Sequence, residues 1–278
     1  MIVGCSVVIQ LSAAVAHDLF DRLGPTGVSA LRFGLGALAL LAIARPSARG
    51  RDAATWKAIV AYGVSLATLN VLFFEAIDRI PMGIAVTLAF VGPLAMALAA
   101  SRRRRDVGIA LLAAAGVITL GGLDRPNSVS GVLLALLTGG AWVAVAYAGR
   151  AVGSRTRRVD GLALALPIAA LLTFPLGVGS FDQIDARTFA IALLIGIGGL
   201  VVPFALELEG LRRLEPRIVA VVYSVDPGIA AVIGFLALDE RLTFPQIVAL
   251  LAVTAASVGA TASAAEETEP VAATTEAV

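Results

Sequence analysis

The hydrophobic pattern of this chain is a series of long apolar stretches separated by short polar links. Most of the stretches are about 17 to 25 residues long, the length that an α-helix needs to cross the hydrocarbon core of a bilayer. They are Ile2–Phe20, Thr26–Ala44, Ala54–Ile77, Pro81–Ala100, Val107–Gly122, Val129–Ala148, Gly161–Val178, Phe189–Leu206, Arg217–Leu238 and Phe244–Ala262. The pattern predicts an all-α integral membrane protein with ten transmembrane helices. Residues 265–278 are acidic and rich in Thr and Ala, which predicts a disordered tail.

The composition supports a membrane protein. Hydrophobic residues make up 59% of the 278 positions and charged residues only 15%. A soluble core of this length would leave much of that apolar surface facing water. The formal net charge of +1 gives no general attraction for nucleic acid.

Links with several basic residues alternate along the chain with links that hold one, and this alternation predicts the orientation of the helices. With a cytoplasmic amino terminus, most of the 21 basic residues fall in the inner links. These are Arg45, Arg49, Arg51, Lys57, Arg102–Arg105, Arg150, Arg155, Arg157, Arg158, Arg212, Arg213 and Arg217. Each outer link holds a single arginine: Arg22, Arg79, Arg125, Arg187 and Arg241. By the positive-inside rule, both termini are predicted to be cytoplasmic.

The two halves of the chain carry prolines and charged residues at matching positions. One constant offset places Pro93 on Pro227, Glu75 on Glu209 and Arg79 on Arg213. Two repeats of five helices each are therefore predicted, over residues 1–125 and 126–264. An odd number of helices makes the second repeat enter the membrane from the opposite face, and inverted repeats of this kind are typical of secondary transporters.

Enzyme and cofactor motifs do not emerge from the sequence. One cysteine and one histidine provide no metal-ligand cluster, and the only lysine, Lys57, is not in a phosphate-binding loop. Neither a nucleophile–base pair nor paired metal-ligand carboxylates are evident. The chain is predicted not to be an enzyme and to need no cofactor or metal. Without an ATP site, transport would run on ion or solute gradients.

The ninth stretch places an ionisable group and a helix breaker near the middle of the membrane. Asp226 and Pro227 lie at its centre, and Pro93 interrupts the fourth stretch at the matching position. A carboxylate at mid-membrane costs a few kcal/mol and persists where protein or water surrounds it. The pair is interpreted as part of a polar cavity that handles a solute, with proton coupling at Asp226. A kink in which the aspartate pairs with a buried arginine is the alternative.

Other polar or aromatic side chains inside the stretches are candidates for the same cavity. They are Gln10, Asn70, Trp142 and Tyr223. Polar groups in hydrocarbon need partners, which a zwitterionic substrate would supply in part. Hydrogen bonding between helices is the alternative for Gln10 and Asn70, and plain packing is the alternative for Trp142.

Two further charged residues belong to the candidate site. Arg32 lies inside the second stretch, where its guanidinium would bind a substrate carboxylate or neutralise Asp226 or Glu75. Glu207, close to Pro203, is a second candidate for proton coupling, with a solvated boundary charge as the alternative.

Several short motifs, in order along nearly the whole chain, resemble those of the drug/metabolite transporter superfamily, EamA type, and within it the threonine/homoserine exporters. They are Gly27–Arg32, Ile80–Val86, Phe90–Ala95, Ser101–Arg103, Gly140–Trp142, Leu206–Glu207, Arg213–Leu214, Asp226–Pro227 and Leu238–Glu240. The resemblance implies an acidic residue at position 89, where this chain has Ala89, and a glutamate at position 226, where it has Asp226.

The resemblance implies a multi-pass carrier in the inner membrane of a bacterium that exports small amino acids in exchange for protons. The expected partners are the amino acid, protons and the lipid bilayer, and a homodimer stays open. Export of another metabolite or drug, such as a nucleoside or a cysteine-pathway metabolite, is the runner-up. A membrane scaffold without transport of its own is the alternative from a different class.

Overall fold

A computed structural model describes residues 2–100, 108, 112, 115, 116, 126–157, 159–206 and 226–256. The helices are α1 (Ile2–His17), α2 (Phe20–Ala44), α3 (Ala53–Ile77), α4 (Met82–Ala89), α5 (Val91–Ala100), α6 (Pro126–Gly153), α7 (Asp160–Gly177), α8 (Ala186–Gly196), α9 (Asp226–Ala237) and α10 (Phe244–Ala256). A 3₁₀ turn, Val178–Gln183, follows α7, and a π-helical turn, Ile197–Val201, extends α8 into a helical segment at 202–206.

The described helices coincide with the predicted apolar stretches. Five of them are long and apolar enough to cross a membrane, and four shorter apolar helices occupy further predicted stretches. The fifth predicted stretch, Val107–Gly122, and the first part of the ninth lie largely outside the described residues. The all-helical class is therefore confirmed for the described part, and the total of ten helices stays a prediction.

Large apolar side chains cover the outer surface of the helices. Ile43, Leu171, Leu236 and Phe244 each expose about three quarters of their surface or more. Scattered exposed leucines are ordinary in soluble proteins, but this density on helices of membrane length fits contact with lipid chains.

The local sequence explains where several helices begin and bend. Asp52 and Asp185 cap α3 and α8, each accepting a hydrogen bond from a backbone N–H three residues later. The Thr188 N–H and then the Arg22 guanidinium hold the pKa of Asp185 well below its usual range. Gly24, with φ of 68°, separates a short entry turn of α2 from the long helix after Pro25.

The helices of the first half of the chain pack mainly against helices of the second half. α2 packs against α7, α4 packs against α9, and Gly116 in the fifth stretch approaches Val253 of α10. α3 contacts α6 and α7, while the segment Ala186–Leu206 contacts α1 and α2. α4 and α5 contact α6, while α9 contacts α1.

Small residues allow the closest of these crossings. A Cβ atom on Gly92 would overlap the backbone carbonyl of Gly139, and one on Gly139 would overlap the Ala89 carbonyl. α5 and α6 therefore meet backbone to backbone. Contacts through glycine are a common way to bring helices together in lipid, where no hydrophobic force drives association.

A carboxylate from the second half caps a helix of the first half. Glu240, in the link after α9, accepts hydrogen bonds from the Met82 N–H at 2.8 Å and 3.0 Å, at the start of α4. Gly234 leaves room for this side chain, because a Cβ there would overlap the carboxylate. Burial raises the pKa of Glu240, an effect that outweighs the opposing hydrogen bond from Met82.

We expect Glu240 to make the stability of the protein depend on pH. An acid whose pKa is raised by folding binds its proton more tightly in the folded state, so stability falls as pH rises from its ordinary pKa through the folded one. Glu240→Gln keeps an acceptor for the Met82 N–H but does not titrate. In this variant the unfolding midpoint should therefore fall less as pH rises. Thermal unfolding of the purified protein between pH 4.5 and pH 8 measures it. Glu240→Ala leaves the Met82 N–H without that acceptor, so its free energy of unfolding should be lower by about 1–3 kcal/mol. If the unfolding midpoint changes with pH equally in the original protein and in Glu240→Gln, Glu240 is not the source of the pH dependence.

Candidate functional site

A cavity of about 80 Å³ lies among helices from both halves of the chain. Its wall combines residues of α1, α3, α4, α6 and α9 with Phe204 of the segment that follows the π turn. Four polar or amphipathic side chains line it: Gln10, Thr138, Trp142 and Asp226. The remainder of the wall is apolar and includes Phe73 and Ala89. The candidates Gln10, Trp142 and Asp226, far apart in the sequence, are thus brought together.

Gln10 presents a buried amide to the cavity. Its side chain is only 4% exposed, and Oε1 has no hydrogen-bond partner in the described part of the chain. A buried amide oxygen without a donor is costly, by about 1–3 kcal/mol. Gln10 is therefore suited to accept a hydrogen bond from a solute in the cavity.

Trp142 forms one wall of the cavity and is held there by an aromatic neighbour. Its ring meets Phe90 edge to face, with centroids 5.4 Å apart and planes at 84°. Such a T-shaped pair contributes about 0.5–1.5 kcal/mol beyond the buried area. Because Phe90 lies at the junction of α4 and α5, the position of the indole depends on the break in that span.

The break between α4 and α5 lies at Phe90, three residues before Pro93. Pro93 has no N–H to donate to the Ala89 carbonyl, four residues earlier, whereas Leu94 does donate to the Phe90 carbonyl at 3.1 Å. Ala89 itself lines the cavity. Pro93 therefore interrupts the backbone hydrogen bonds beside the site.

Asp226 and Pro227 occupy the described beginning of α9, and both are buried. Asp226 is 5% exposed and lines the cavity together with residues of α3 and α6. It is the only acidic residue on the wall among the described residues. The candidates Tyr223 and Glu207 lie outside the described residues, and the structure does not test them.

Arg32 is buried but does not line the cavity. Nη2 donates to the Gly199 carbonyl at 2.6 Å, and Cζ lies 5.4 Å from the centroid of the Phe74 ring. Nε has no hydrogen-bond partner in the described ranges. Gly199 belongs to the π turn, and a Cβ on it would overlap the Ser12 hydroxyl. Arg32 thus ties α2 to the π turn beside α1.

The interpretation of Arg32 as the partner of Glu75 is wrong. Glu75 instead pairs with Arg79, one turn later on the chain, at 2.6 Å. Within the described residues Arg32 forms no ion pair at all. The predicted role in binding a substrate carboxylate is not tested by these contacts.

Asn70 is buried one helical turn before Phe74 but is not part of the cavity wall. Its Oδ1 has no hydrogen-bond partner among the residues described. The adjacent Leu69 does line the cavity. Asn70 therefore stands next to the site rather than on its surface.

Thr138 is a cavity residue that the sequence analysis did not single out. It precedes Trp142 by one turn on α6, so both face the same side of the helix. Its Oγ1 donates to the Leu134 carbonyl at 2.8 Å, which is common for threonine in helices. The spacing from Trp142 was the signal that could have identified it.

Comparison with known proteins gives a consistent set of relatives. Residues 129–262 match the EamA-like transporter family. The threonine/homoserine exporter RhtA of Escherichia coli (strain K12) is 36% identical over 94% of this chain and 90% of its own length. The RhtA exporter of Salmonella typhimurium (strain SL1344) is 37% identical over 91% of this chain and 87% of its own length. A crystal structure superposes with a TM-score of 0.65 at 20% identity, covering 95% of this chain and 96% of that one.

Proposed function

Because this chain belongs to the EamA-like transporter family, we propose that it exports small neutral amino acids of the threonine and homoserine type from the cytoplasm. Its relatives are named as exporters, and the chain is a multi-pass transporter of the inner membrane, not an enzyme. The direction of transport and the class of substrate are the parts that we propose from those relatives.

The observation that carries this proposal is the shared cavity of Gln10, Trp142 and Asp226. Three side chains with polar groups that are costly to bury face one space between the halves. An amide, an indole and a carboxylate together offer hydrogen bonds and a negative charge to a polar solute. Plain packing would not require these groups to converge.

The size of the cavity supports a compact substrate. A volume of about 80 Å³ is well below the roughly 300–1,000 Å³ of ordinary ligand pockets. A small amino acid would need less expansion of this space than a nucleoside or a drug.

We also infer the inverted repeat, and with it ten helices and cytoplasmic termini. The pairings of α2 with α7 and of α4 with α9 map onto themselves when the halves are exchanged, which supports a twofold axis in the membrane plane. The cavity wall agrees with that axis, since it draws on α1 with α6, α3 with the Phe204 segment and α4 with α9. The alternation of basic residues supplies the orientation.

Proton antiport is the proposed source of energy, with Asp226 as the main coupling group and Glu207 as the second candidate. Substrate enters from the cytoplasm with its ammonium facing ionised Asp226. After release outside, a proton on Asp226 neutralises the empty site, because a neutral carboxyl crosses a dry barrier at lower cost than an ion. The buried position of Asp226 on the wall supports its assignment as a proton-coupling group.

Efflux from proteoliposomes tests the proposal directly. Vesicles loaded with labelled threonine or homoserine should lose the label faster when the outer solution is more acidic, because protons then enter as substrate leaves. Efflux that is equal with and without the gradient would refute antiport, and no efflux from folded, inserted protein would refute the substrate class. Loading with a labelled nucleoside is the matched negative control.

A further inference from the structure

Two neutral side chains on the cavity wall offer hydrogen-bond acceptors. Gln10 is 4% exposed, and its Oε1 has no hydrogen-bond partner in the part of the chain that the structure describes. Thr138 donates its only hydroxyl proton to the Leu134 carbonyl at 2.8 Å, so its Oγ1 can only accept from other groups. A solute that brings hydrogen-bond donors would therefore be stabilised at this part of the wall.

Gln10 is the acceptor that gains most from such a donor. Thr138 already has one hydrogen bond, whereas a buried acceptor without any is costly. Ser6 lies one turn before Gln10 on the same face of α1 and is 2% exposed, but its Oγ is also without a partner among the described residues. The neighbouring turn of α1 therefore does not satisfy the Gln10 oxygen, and neither does another described helix.

Amino acids of the threonine and homoserine type carry two kinds of donor, an ammonium and a side-chain hydroxyl. The proposed function places the ammonium at Asp226, and the hydroxyl is then the donor that remains for Gln10. Valine has the shape of threonine with a methyl group in place of the hydroxyl, and norvaline has the same relation to homoserine. A site built to hydrogen-bond a hydroxyl rejects an analogue without it, because the polar group of the site is then left unpaired.

We propose that Gln10 is a specificity-determining residue of the site and that its amide oxygen accepts a hydrogen bond from the side-chain hydroxyl of the substrate. The preference for threonine over its apolar isostere valine then depends on this one side chain. This inference rests on the proposed function, because it names the residue by which the same cavity selects among small neutral amino acids.

The two tryptophans of the chain allow a direct binding measurement. Trp142 lines the cavity, whereas Trp56 lies near the start of α3 and is not part of the wall. In a Trp56→Phe background, Trp142 is the single indole reporter. Its fluorescence would be titrated with threonine, valine, homoserine and norvaline.

The first comparison needs no change at Gln10. In the Trp56→Phe background, threonine should bind at least about tenfold more tightly than valine, and homoserine at least about tenfold more tightly than norvaline. Each apolar isostere leaves the Gln10 oxygen unpaired, whereas each hydroxylated amino acid supplies its donor. Equal affinities within both pairs would overturn the proposal, whether or not a Gln10 variant folds.

Gln10→Met then tests the assignment to this residue. The change removes the acceptor and keeps an unbranched side chain of similar length. The affinity for threonine should fall about tenfold while that for valine does not fall, so the ratio of the two approaches one. Circular dichroism and monodispersity show whether the variant is folded. An unchanged ratio together with a lower unfolding midpoint would mean that Gln10 serves only the packing of helices, and would overturn the proposal.

Two further variants separate Gln10 from its neighbours. Asn70→Leu removes another buried amide whose oxygen has no partner in the described ranges, but Asn70 is not on the wall, so the ratio should stay unchanged. Loss of the preference in Asn70→Leu would overturn the assignment to Gln10. A preference lost in Thr138→Val but kept in Gln10→Met would assign the hydroxyl to Thr138 and would also overturn it.

The outcomes distinguish this inference from the proposed function. Tighter binding of threonine than of valine, without efflux of threonine from proteoliposomes, would support hydroxyl recognition and refute export. Efflux of threonine together with equal affinities for threonine and valine would refute hydroxyl recognition and leave export standing. If none of the four amino acids changes the fluorescence or the unfolding midpoint of folded protein, both are overturned.

Discussion

Replacing Asp226 with asparagine is expected to abolish the stimulation of efflux by a proton gradient. The change preserves the shape of the buried side chain but removes the group that gains and loses a proton. Gradient-driven efflux should fall about 100-fold, to the level of passive exchange, by analogy with the loss of a positioned proton-transfer group. Labelled threonine should still exchange across the membrane at saturating concentrations. The measurement is efflux from proteoliposomes with and without an inward proton gradient.

Asp239→Asn is the matched control for this experiment. Asp239 is exposed in the link after α9 and has a positive φ of 52°, a conformation that asparagine tolerates. The control removes a carboxylate near the same helix without changing the cavity. Full gradient-driven efflux by Asp226→Asn would exclude Asp226 as the coupling residue. Glu207 would then be the next candidate for proton coupling.

Replacing Gly92 with alanine is expected to cause the largest loss of stability among single methyl additions in the bundle. The added Cβ would overlap the Gly139 backbone, which cannot move aside as a flexible side chain can. Overpacking typically costs about 1–3 kcal/mol, and a backbone obstacle places this variant at the upper end or above it. The thermal unfolding midpoint and the yield of monodisperse protein measure the effect.

Gly140→Ala provides the comparison, on the same helix and next to Gly139. A Cβ there meets nothing within 4 Å. Its effect should lie within about 0.5 kcal/mol of zero, as for an open surface position. Equal midpoints for the Gly92 and Gly140 variants would mean that α5 and α6 do not meet backbone to backbone.

The sequence analysis predicted the helices well because an apolar stretch of membrane length has few alternatives in lipid. It also predicted that Gln10, Trp142 and Asp226 belong together, since the cost of burying polar groups in a membrane favours their convergence. Both the apolar stretches and the polar residues inside them can be recognised from local composition, without knowing how the helices are rotated about their axes.

The partners of Arg32 and Glu240 could not be predicted in the same way. Arg32 binds a carbonyl that faces it because of a π turn in a distant helix, and a π turn has no simple sequence signature. Glu240 caps α4 only because α9 places Gly234 against it. Opposite charges in the sequence suggested Glu75 as a partner of Arg32, but in the structure the Arg32 guanidinium donates to the Gly199 carbonyl instead.

The Gly92–Gly139 crossing has a mechanical consequence. Two backbones in direct contact have no deformable layer of side chains between them, so one helix cannot slide along the other without a clash. Rotation about the contact is the motion that remains, and the contact then acts as a fulcrum. A tilt that parts α5 and α6 on one side of the bilayer brings them together on the other. Opening and closing would thus be linked by geometry alone, with Ala89, Thr138 and Trp142 nearest the pivot and displaced least.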